Sequence, residues 1–407
     1  MQPRFSQSFL LVLSMLLSLP GAAVLASETT SYTSTSIPAA ADTSIAELRM
    51  QLKALQARLD ALEQQAEPTR NTVQALVASA DTKANFKGDL RYRHEAFSID
   101  AKPTRQRHRI RARVSTTKAI EENLEVSFGI ATGSSDPVST NQTLGEGNSS
   151  KNLVLDLAYV QWQTPISGLK LRAGKFSNPI MRAGGSGLVW DGDLRPEGLG
   201  LTYKQGSLFI NAMGSWLRES SSREDSLLYA AQFGSQHNIN DDQKIRFGIG
   251  YYTITSPQPL FGEPAGNRVN AENGFVSDFN STEIFTQYGR SLDGVLHGDL
   301  TVYASYINNF GADDANTGYA VGAEIKSSQF QFGWNYQRLE ADAVFGGLSD
   351  SDFIGGGTDG AGHIFEVGYP LTKRVSLRGT LFMNETGLQS GLRDDYNRLM
   401  LDISYKY

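Results

Sequence analysis

The sequence predicts an all-β protein: a transmembrane antiparallel β-barrel of about sixteen strands, preceded by a short N-terminal coiled-coil helix. Three observations carry this. From residue 85 to the end, apolar and polar residues alternate with a period of two, the pattern of strands with one greasy and one wet face. The connections between these strands alternate short and long along the whole segment. Beyond its N-terminus the 407-residue chain has no stretch approaching the roughly eighteen apolar residues of a membrane helix, so a spanning structure would have to be made of strands.

Composition narrows the classes. The chain has no cysteine, which excludes disulfides, thiolate metal sites, a cysteine nucleophile and a lipid-modified N-terminal cysteine. Forty glycines and 10% aromatic residues beside only seven methionines suit strands and turns better than helices. A net charge of −6 and a pI near 5.5 argue against a nucleic-acid partner.

The first segment, 1–26, reads as a secretory signal peptide. Arg4 precedes the apolar run Phe9 to Leu19, and Val24-Leu25-Ala26 is a small-residue cleavage pattern. Residues 27–43, rich in Ser, Thr and Ala, read as a disordered lead-in. In 44–66, Ile45, Leu48, Leu52, Leu55, Leu59 and Leu62 follow at spacings of 3, 4, 3, 4 and 3, the a/d seam of a coiled coil. A helix packing on its own domain is the alternative. Pro68 ends the helix, and 67–84 is a polar linker.

The strands begin at 85. The first sets Phe86, Leu90 and Tyr92 against Lys87, Asp89, Arg91, Arg93 and Glu95. The second sets Ile110, Ala112 and Val114 against Arg107, Arg109, Arg111 and Arg113. The third opposes Leu124, Val126, Phe128 and Ile130 to Asn123, Glu125 and Ser127. Leu153 to Tyr159 with Asp156 opposing, Leu169 and Leu171 against Lys170 and Arg172, and Leu199 to Tyr203 mark three more. Further strands are expected near 207–217, 226–236, 243–255, 282–290, 296–307, 317–326, 329–339, 362–369, 374–384 and 396–407. The last carries Leu399, Leu401, Ile403, Tyr405 and Tyr407 on one parity and Arg398, Asp402, Ser404 and Lys406 on the other, with Met400 an intruder.

Short connections fall near 118–122, 164–168, 204–207, 237–242, 290–295, 326–329 and 370–374. Long ones fall near 98–104, 132–150, 177–196, 218–225, 256–281, 308–316, 340–361 and 385–395. A soluble sandwich has no reason to collect every long loop at one end, whereas a membrane barrel does so. Closure follows because hydrocarbon leaves no partner for an unpaired backbone group. Tyrosines at strand ends (Tyr92, Tyr159, Tyr203, Tyr251, Tyr288, Tyr306, Tyr336, Tyr369) are expected to form interfacial girdles.

A cleaved signal, a short coiled coil and sixteen alternating strands ending in an aromatic residue resemble a Gram-negative outer-membrane porin of the "putative porin" family. The likeness to phosphate-selective porins, which also carry an N-terminal coiled coil, is more distant. It covers about 85–407 and is most specific at Leu399–Tyr407 and from Leu171 to Leu201, with Gly174-Lys175-Phe176, Val189-Trp190-Asp191-Gly192-Asp193 and Pro196-Glu197-Gly198. The resemblance implies a homotrimer of passive channels in outer-membrane lipid, passing small hydrophilic solutes or ions. The coiled coil would lie in the periplasm. The family usually ends in phenylalanine; Tyr407 would be the assembly signal here.

In a barrel the polar parity would line the pore. Arg91, Arg93, Arg107, Arg109, Arg111 and Arg113 would form a cationic ladder, with Lys170 and Arg172 also inward. Loop 177–196 occupies the place of the constriction loop in sixteen-stranded porins. Folded inward, its Asp191, Asp193 and Arg195, with Glu197 just beyond, could face the ladder; an ordinary external loop is the other reading. Asp191 and Asp193 lack the remaining positions of a calcium loop, so no metal or cofactor is expected.

A solute-specific channel, for phosphate, another small anion or a sugar, is an alternative. A barrel enzyme is another. His94, His108, His237, His297 and His363 are scattered, however, and Gly184-Gly185-Ser186-Gly187 lacks the second glycine of a nucleophile elbow.

Overall fold

A computed structural model describes residues 85–292, 297–391 and 393–407, together with Met50, Leu52, Lys53, Gln56, Ala57 and Asp60. These last six belong to a separate unit, and each is helical. Leu52 is exposed there. The remaining seam positions Ile45, Leu48, Leu55, Leu59 and Leu62, the signal peptide 1–26, the lead-in and the linker lie outside the described residues.

The second unit is built from strands β1 (Asn85–Ile99), β2 (Arg105–Glu121), β3 (Leu124–Thr132), β4 (Gln142–Thr143), β5 (Leu153–Gln163), β6 (Leu169–Lys175), β7 (Glu197–Gln205), β8 (Leu208–Arg218) and β9 (Ser226–Asn238). It continues with β10 (Gln243–Thr255), β11 (Phe279–Leu292), β12 (Gly298–Asn309), β13 (Thr317–Ser327), β14 (Gln331–Leu339), β15 (Gly360–Pro370), β16 (Val375–Thr386) and β17 (Asp394–Lys406). Two-residue β4 extends the β2 ladder beyond the end of β3. The other sixteen form one antiparallel ring, each bonded to its neighbours in sequence. β17 closes it on β1 from Asp89↔Lys406 to Ile99↔Tyr396. The backbones of Gly88 and Tyr407 exchange two further hydrogen bonds, of 3.1 and 3.2 Å. No edge remains in this ring among the described residues.

The two parities separate as the alternation requires. Leu90, Leu155, Trp162, Leu199, Phe233, Phe247, Ile284, Val302, Phe332, Val367, Leu401 and Ile403 are exposed, so an apolar belt runs around the outside of the ring. A continuous greasy surface of that extent suits acyl chains, not water. The opposite parity is buried: Asp89, Arg93, Glu95, Arg398 and Asp402 point inward, and so does the intruder Met400.

One strand departs from simple alternation. A bulge in β5 puts Leu155 opposite Ile130 but Leu157 opposite Gly129, so parity flips after Asp156. Tyr159 therefore turns inward and packs edge-on against Phe176, with ring centroids 6.5 Å apart, instead of joining an outer girdle. Tyr92, Tyr251, Tyr306 and Tyr369 do lie on the outer surface.

Part of the interior is dry, which the polar-parity rule does not anticipate. Inward Met213, Leu228, Tyr252, Ile254, Phe279, Ile307 and Leu339 of β8–β14 pack with Phe176, Ile180, Leu188, Val189, Trp190 and Leu194 of one long loop and Val344, Phe345 and Leu348 of another. Each fully buried apolar side chain contributes about 1.5–3 kcal/mol. Two loops are thus docked inside the ring against β8–β14, leaving the side formed by β1, β2 and β15–β17 polar.

Candidate pore and constriction

The polar side is set by strand register. β1 and β2 pair so that inward Glu95 faces Arg107, Arg93 faces Arg109, Arg91 faces Arg111 and Asp89 faces Arg113. Like charges directly opposite each other repel, so the wall is stable only where acids intervene. Asp89 accepts from Arg111 Nη2 at 2.8 Å and from Arg113 Nε at 2.8 Å. Glu95 pairs with Arg107 and, at 2.5 Å, with Arg398. Asp402 of β17 lies opposite Arg93 and takes it in a fork, at 2.7 and 2.9 Å.

Three long loops meet this wall: 133–152, 176–196 and 340–359. In the second, Met181 N donates to Gln232 Oε1 at 3.0 Å and Gly184 N to Gln287 Oε1 at 3.0 Å, reaching inward residues of β9 and β11. Gly184 has φ +58, and a Cβ there would stand 2.0 Å from the Tyr303 ring, so only glycine fits. At its far end Asp193 Oδ1 accepts from Arg113 Nη1 at 3.1 Å, and Asp193 Oδ2 from Thr140 Oγ1 at 2.9 Å. In the third loop Asp352 accepts from Arg93 Nη1 at 3.0 Å and from Arg398 Nη2 at 2.9 Å. Ser351 Oγ donates to Val138 O of the first loop at 2.9 Å.

Asp191 joins the second and third loops. Its backbone N–H donates to Leu348 O at 3.0 Å, and its Oδ2 accepts from Ser351 N at 2.9 Å. Burial, then the neighbouring Asp350 carboxylate, push the Asp191 carboxyl up; burial, then Asp352, push Asp350 up. Burial acts the same way on Asp193 and Asp352. There the arginines prevail: Arg111 and Arg113 bring Asp193 below the usual carboxylate range, and Arg398 and Arg93 bring Asp352 well below it.

Two chambers flank the loops on the arginine side. One at the loop end, about 880 Å³, is lined by Lys102, Arg105, Arg107, Arg109 and Arg398 with Asp136 as the one carboxylate. The other, about 570 Å³ and reaching Lys406 near the short turns, is lined by Arg91, Arg93, Arg111, Arg113 and Arg378 among its cations, and Asp191, Asp193, Asp352 and Asp402 among its acids. Ser351 lines both.

The remaining sequence-derived candidates are dispersed. Lys170 and Arg172 lie on β6, three barrel strands from β2, where Arg172 Nε donates to Gln161 Oε1 at 2.8 Å. Arg195 pairs with Asp156 of β5 at 3.3 Å. Glu197 is exposed at the start of β7 and accepts from Lys175 Nζ at 2.6 Å. Tyr407 stacks on Tyr405, with centroids 6.0 Å apart. Ser186 Oγ accepts from Leu188 N at 3.2 Å. Among the described residues no group of three or more His, Asp and Glu side chains is placed to hold a metal.

Sequence reasoning missed Asp350, Ser351 and Asp352, and Ser139, Thr140 and Asn141 of the first loop. The available signal was Ser349-Asp350-Ser351-Asp352 ahead of Gly355-Gly356-Gly357, an acidic, glycine-rich stretch at the middle of a long connection.

Residues 56–292 and 311–407 match the family model described as "Putative porin". The solved high-pH structure of Pseudomonas putida OprB is similar at 14% identity and a TM-score of 0.53, over 79% of this chain and 94% of that one. A double mutant of Rh. blastica porin aligns at 10% identity and a TM-score of 0.47, over 79% and 99%. Vibrio cholerae OmpT lacking loop L8 aligns at 13% and 0.45, over 80% and 99%. No curated protein matches the sequence. The family match covers most of the chain and the barrel is closed, so the chain belongs to the putative porin family of outer-membrane channels.

Proposed function

We propose that this porin is a passive diffusion channel for small hydrophilic solutes and ions, which pass between the arginine ladder and the inward-folded acidic loop. The observation that carries the reading is the pair of contacts Arg113–Asp193 and Arg93–Asp352, which join the ladder to two separate loops along the turn-end chamber. Fixed cations on the wall and fixed anions on the loops give a transverse field that orients dipolar solutes. The loop-end chamber is strongly cationic. In the other, the Asp191 carboxyl, pushed up by burial, counts for less than a full charge. The selectivity that follows is weakly anionic or near neutral.

Within this reading the long loops face outside and the short turns the periplasm. The N-terminal segment lies in the periplasm, and the channel is a homotrimer. Liposome swelling tests the channel. Proteoliposomes should swell in isosmotic sugars at rates that fall with solute size and rise linearly with concentration. Absence of swelling, or entry of one sugar alone, would contradict a general pore.

A further inference from the structure

We propose that His94 and His108, side by side on the outer face of β1 and β2, form a surface site for an imidazole-preferring divalent metal ion, copper(II) or zinc(II). The inference goes beyond the channel reading and does not depend on it.

The two histidines share no motif in the sequence; strand register brings them together. His94 of β1 lies directly opposite His108 of β2. The His108 carbonyl accepts from Leu144 N at 2.8 Å, on the far side of β2. Its backbone groups therefore point away from β1, and the pair with His94 is of the non-hydrogen-bonded kind, which brings side chains closest. The imidazole centroids are 4.8 Å apart and the rings tilted by 43°. A metal about 2.0 Å from one nitrogen of each ring, with ring centres about 1.1 Å further out and a ligand angle of about 90–110°, sets the centroids about 4.5–5.2 Å apart. The observed spacing falls inside that range.

Tyr92 prepares one of the two ligands. Its hydroxyl lies 2.7 Å from His108 Nδ1. With Nδ1–H donating to that oxygen, Nε2 keeps its lone pair for the metal. Outer hydrogen bonds of this kind fix the tautomer and ring orientation of metal-bound histidines. Two imidazoles with the remaining positions open select late divalent transition metals over magnesium or calcium, and hold copper(II) most tightly.

The surroundings admit a hydrated ion. His108 is exposed and His94 half-buried. Beside the pair and toward the short turns lie the exposed Leu90, Tyr92, Leu401 and Ile403 of the apolar belt. Toward the long loops the same face carries Ala96 opposite Gln106, and Ser98 opposite Asn397. The pair thus sits where the greasy wall gives way to a polar rim, at the level of lipid headgroups, and water supplies the other ligands. A metal here ties β1 to β2, beside the seam where β17 closes the ring.

The test adds copper(II) alone to the purified, chelator-treated protein in detergent and records electron paramagnetic resonance. The bound ion should show coupling to two imidazole nitrogens. Tyr92→Phe should weaken binding about tenfold. His94→Gln and His108→Gln should weaken it further and leave coupling to one nitrogen, while His363→Gln, on β15, should change nothing. Copper(II) should also raise the temperature at which the folded form unfolds, read by gel mobility, and the effect should vanish in both histidine variants. If a histidine variant does not fold, labelling of the unaltered protein with diethyl pyrocarbonate decides, because copper(II) should shield His94 and His108 but not His363. No signal beyond that of the free ion, a two-nitrogen signal that survives in either histidine variant, or labelling that ignores copper overturns the site. None of these readouts uses conductance, so failure of the channel reading leaves the metal site standing, and failure of the site leaves the channel.

Discussion

Replacing Asp193 by asparagine should release the tip of the 176–196 loop while leaving the barrel intact. Asp193 accepts from Arg113 Nη1 at 3.1 Å, from Thr140 Oγ1 at 2.9 Å and from Thr140 N at 3.3 Å, and Arg111 stands 3.9 Å away. Its side chain is 16% exposed, so solvent screens these contacts only in part. Asparagine keeps one acceptor, but loses the charge and turns an N–H₂ toward a donor. Hydrogen bonds to charged groups are worth about 1.5–3 kcal/mol each, and a partner left unpaired adds to the cost. A net loss of about 3 kcal/mol is reasonable, and at 1.4 kcal/mol per factor of ten it raises the undocked population on the order of a hundredfold. The loop would still be mainly docked, because Leu188, Val189, Trp190 and Leu194 remain buried at about 2 kcal/mol each. Limited trypsin digestion of the folded protein reads this population directly, since cleavage of a transiently opened segment follows the open fraction. Cutting at Arg182, in the same loop, should accelerate by up to roughly that factor while cutting at the exposed Arg223, in the β8–β9 loop, stays constant. A rate at Arg182 within about threefold of the unaltered protein would refute the anchoring role. So would equal acceleration at both sites, which would signify general loosening.

Loop docking should also depend on pH in two directions. Asp191 and Asp350 titrate above their ordinary values, so their contribution is complete at low pH and is lost as pH rises through the raised values. Asp193 and Asp352 titrate below theirs, so their contribution is present above the usual carboxylate range and is lost as pH falls through the lowered values. Single-channel current noise should be least in mildly acidic buffer and increase toward about pH 9, and Asp191→Asn should remove the alkaline increase; noise that ignores pH would contradict this. Gly184→Ala places a methyl group against Tyr303 at a left-handed φ, which costs at least about 1–2 kcal/mol from the backbone alone. The variant should admit larger sugars in liposome swelling, and an unchanged size cut-off would show that the loop does not limit the path. Removing Tyr407 deletes the last backbone bonds that close the ring on Gly88 and should lower the yield of the heat-modifiable folded form, measured by gel mobility.

The wall of the barrel was legible because its physics is local. Leu399, Leu401 and Ile403 against Asp402 and Ser404 state a strand and its two faces without reference to any other part of the chain. The alternating connections then give the order of the ring. The interior was less legible, because it is made by residues far apart in sequence. Ile254, Phe279 and Ile307 occupy inward positions where alternation leads one to expect polar groups, and their reason is the docked loop bearing Leu188 and Trp190. The bulge that turns Tyr159 inward leaves no mark in composition. Asp193 could be suspected from its place in the long connection. Its partners Arg113 and Thr140, and the matching role of Asp352, depend on how three loops fold over one another.

In the proposed channel, water and ions cross the ring along the arginine wall of β1 and β2. The zero-current potential of the purified protein in a planar bilayer, across a tenfold gradient of potassium chloride, tests it most directly. The predicted result is stepwise ohmic conductance with a reversal potential near zero or modestly toward the chloride side. Strong cation preference, or a membrane that stays sealed, would contradict it.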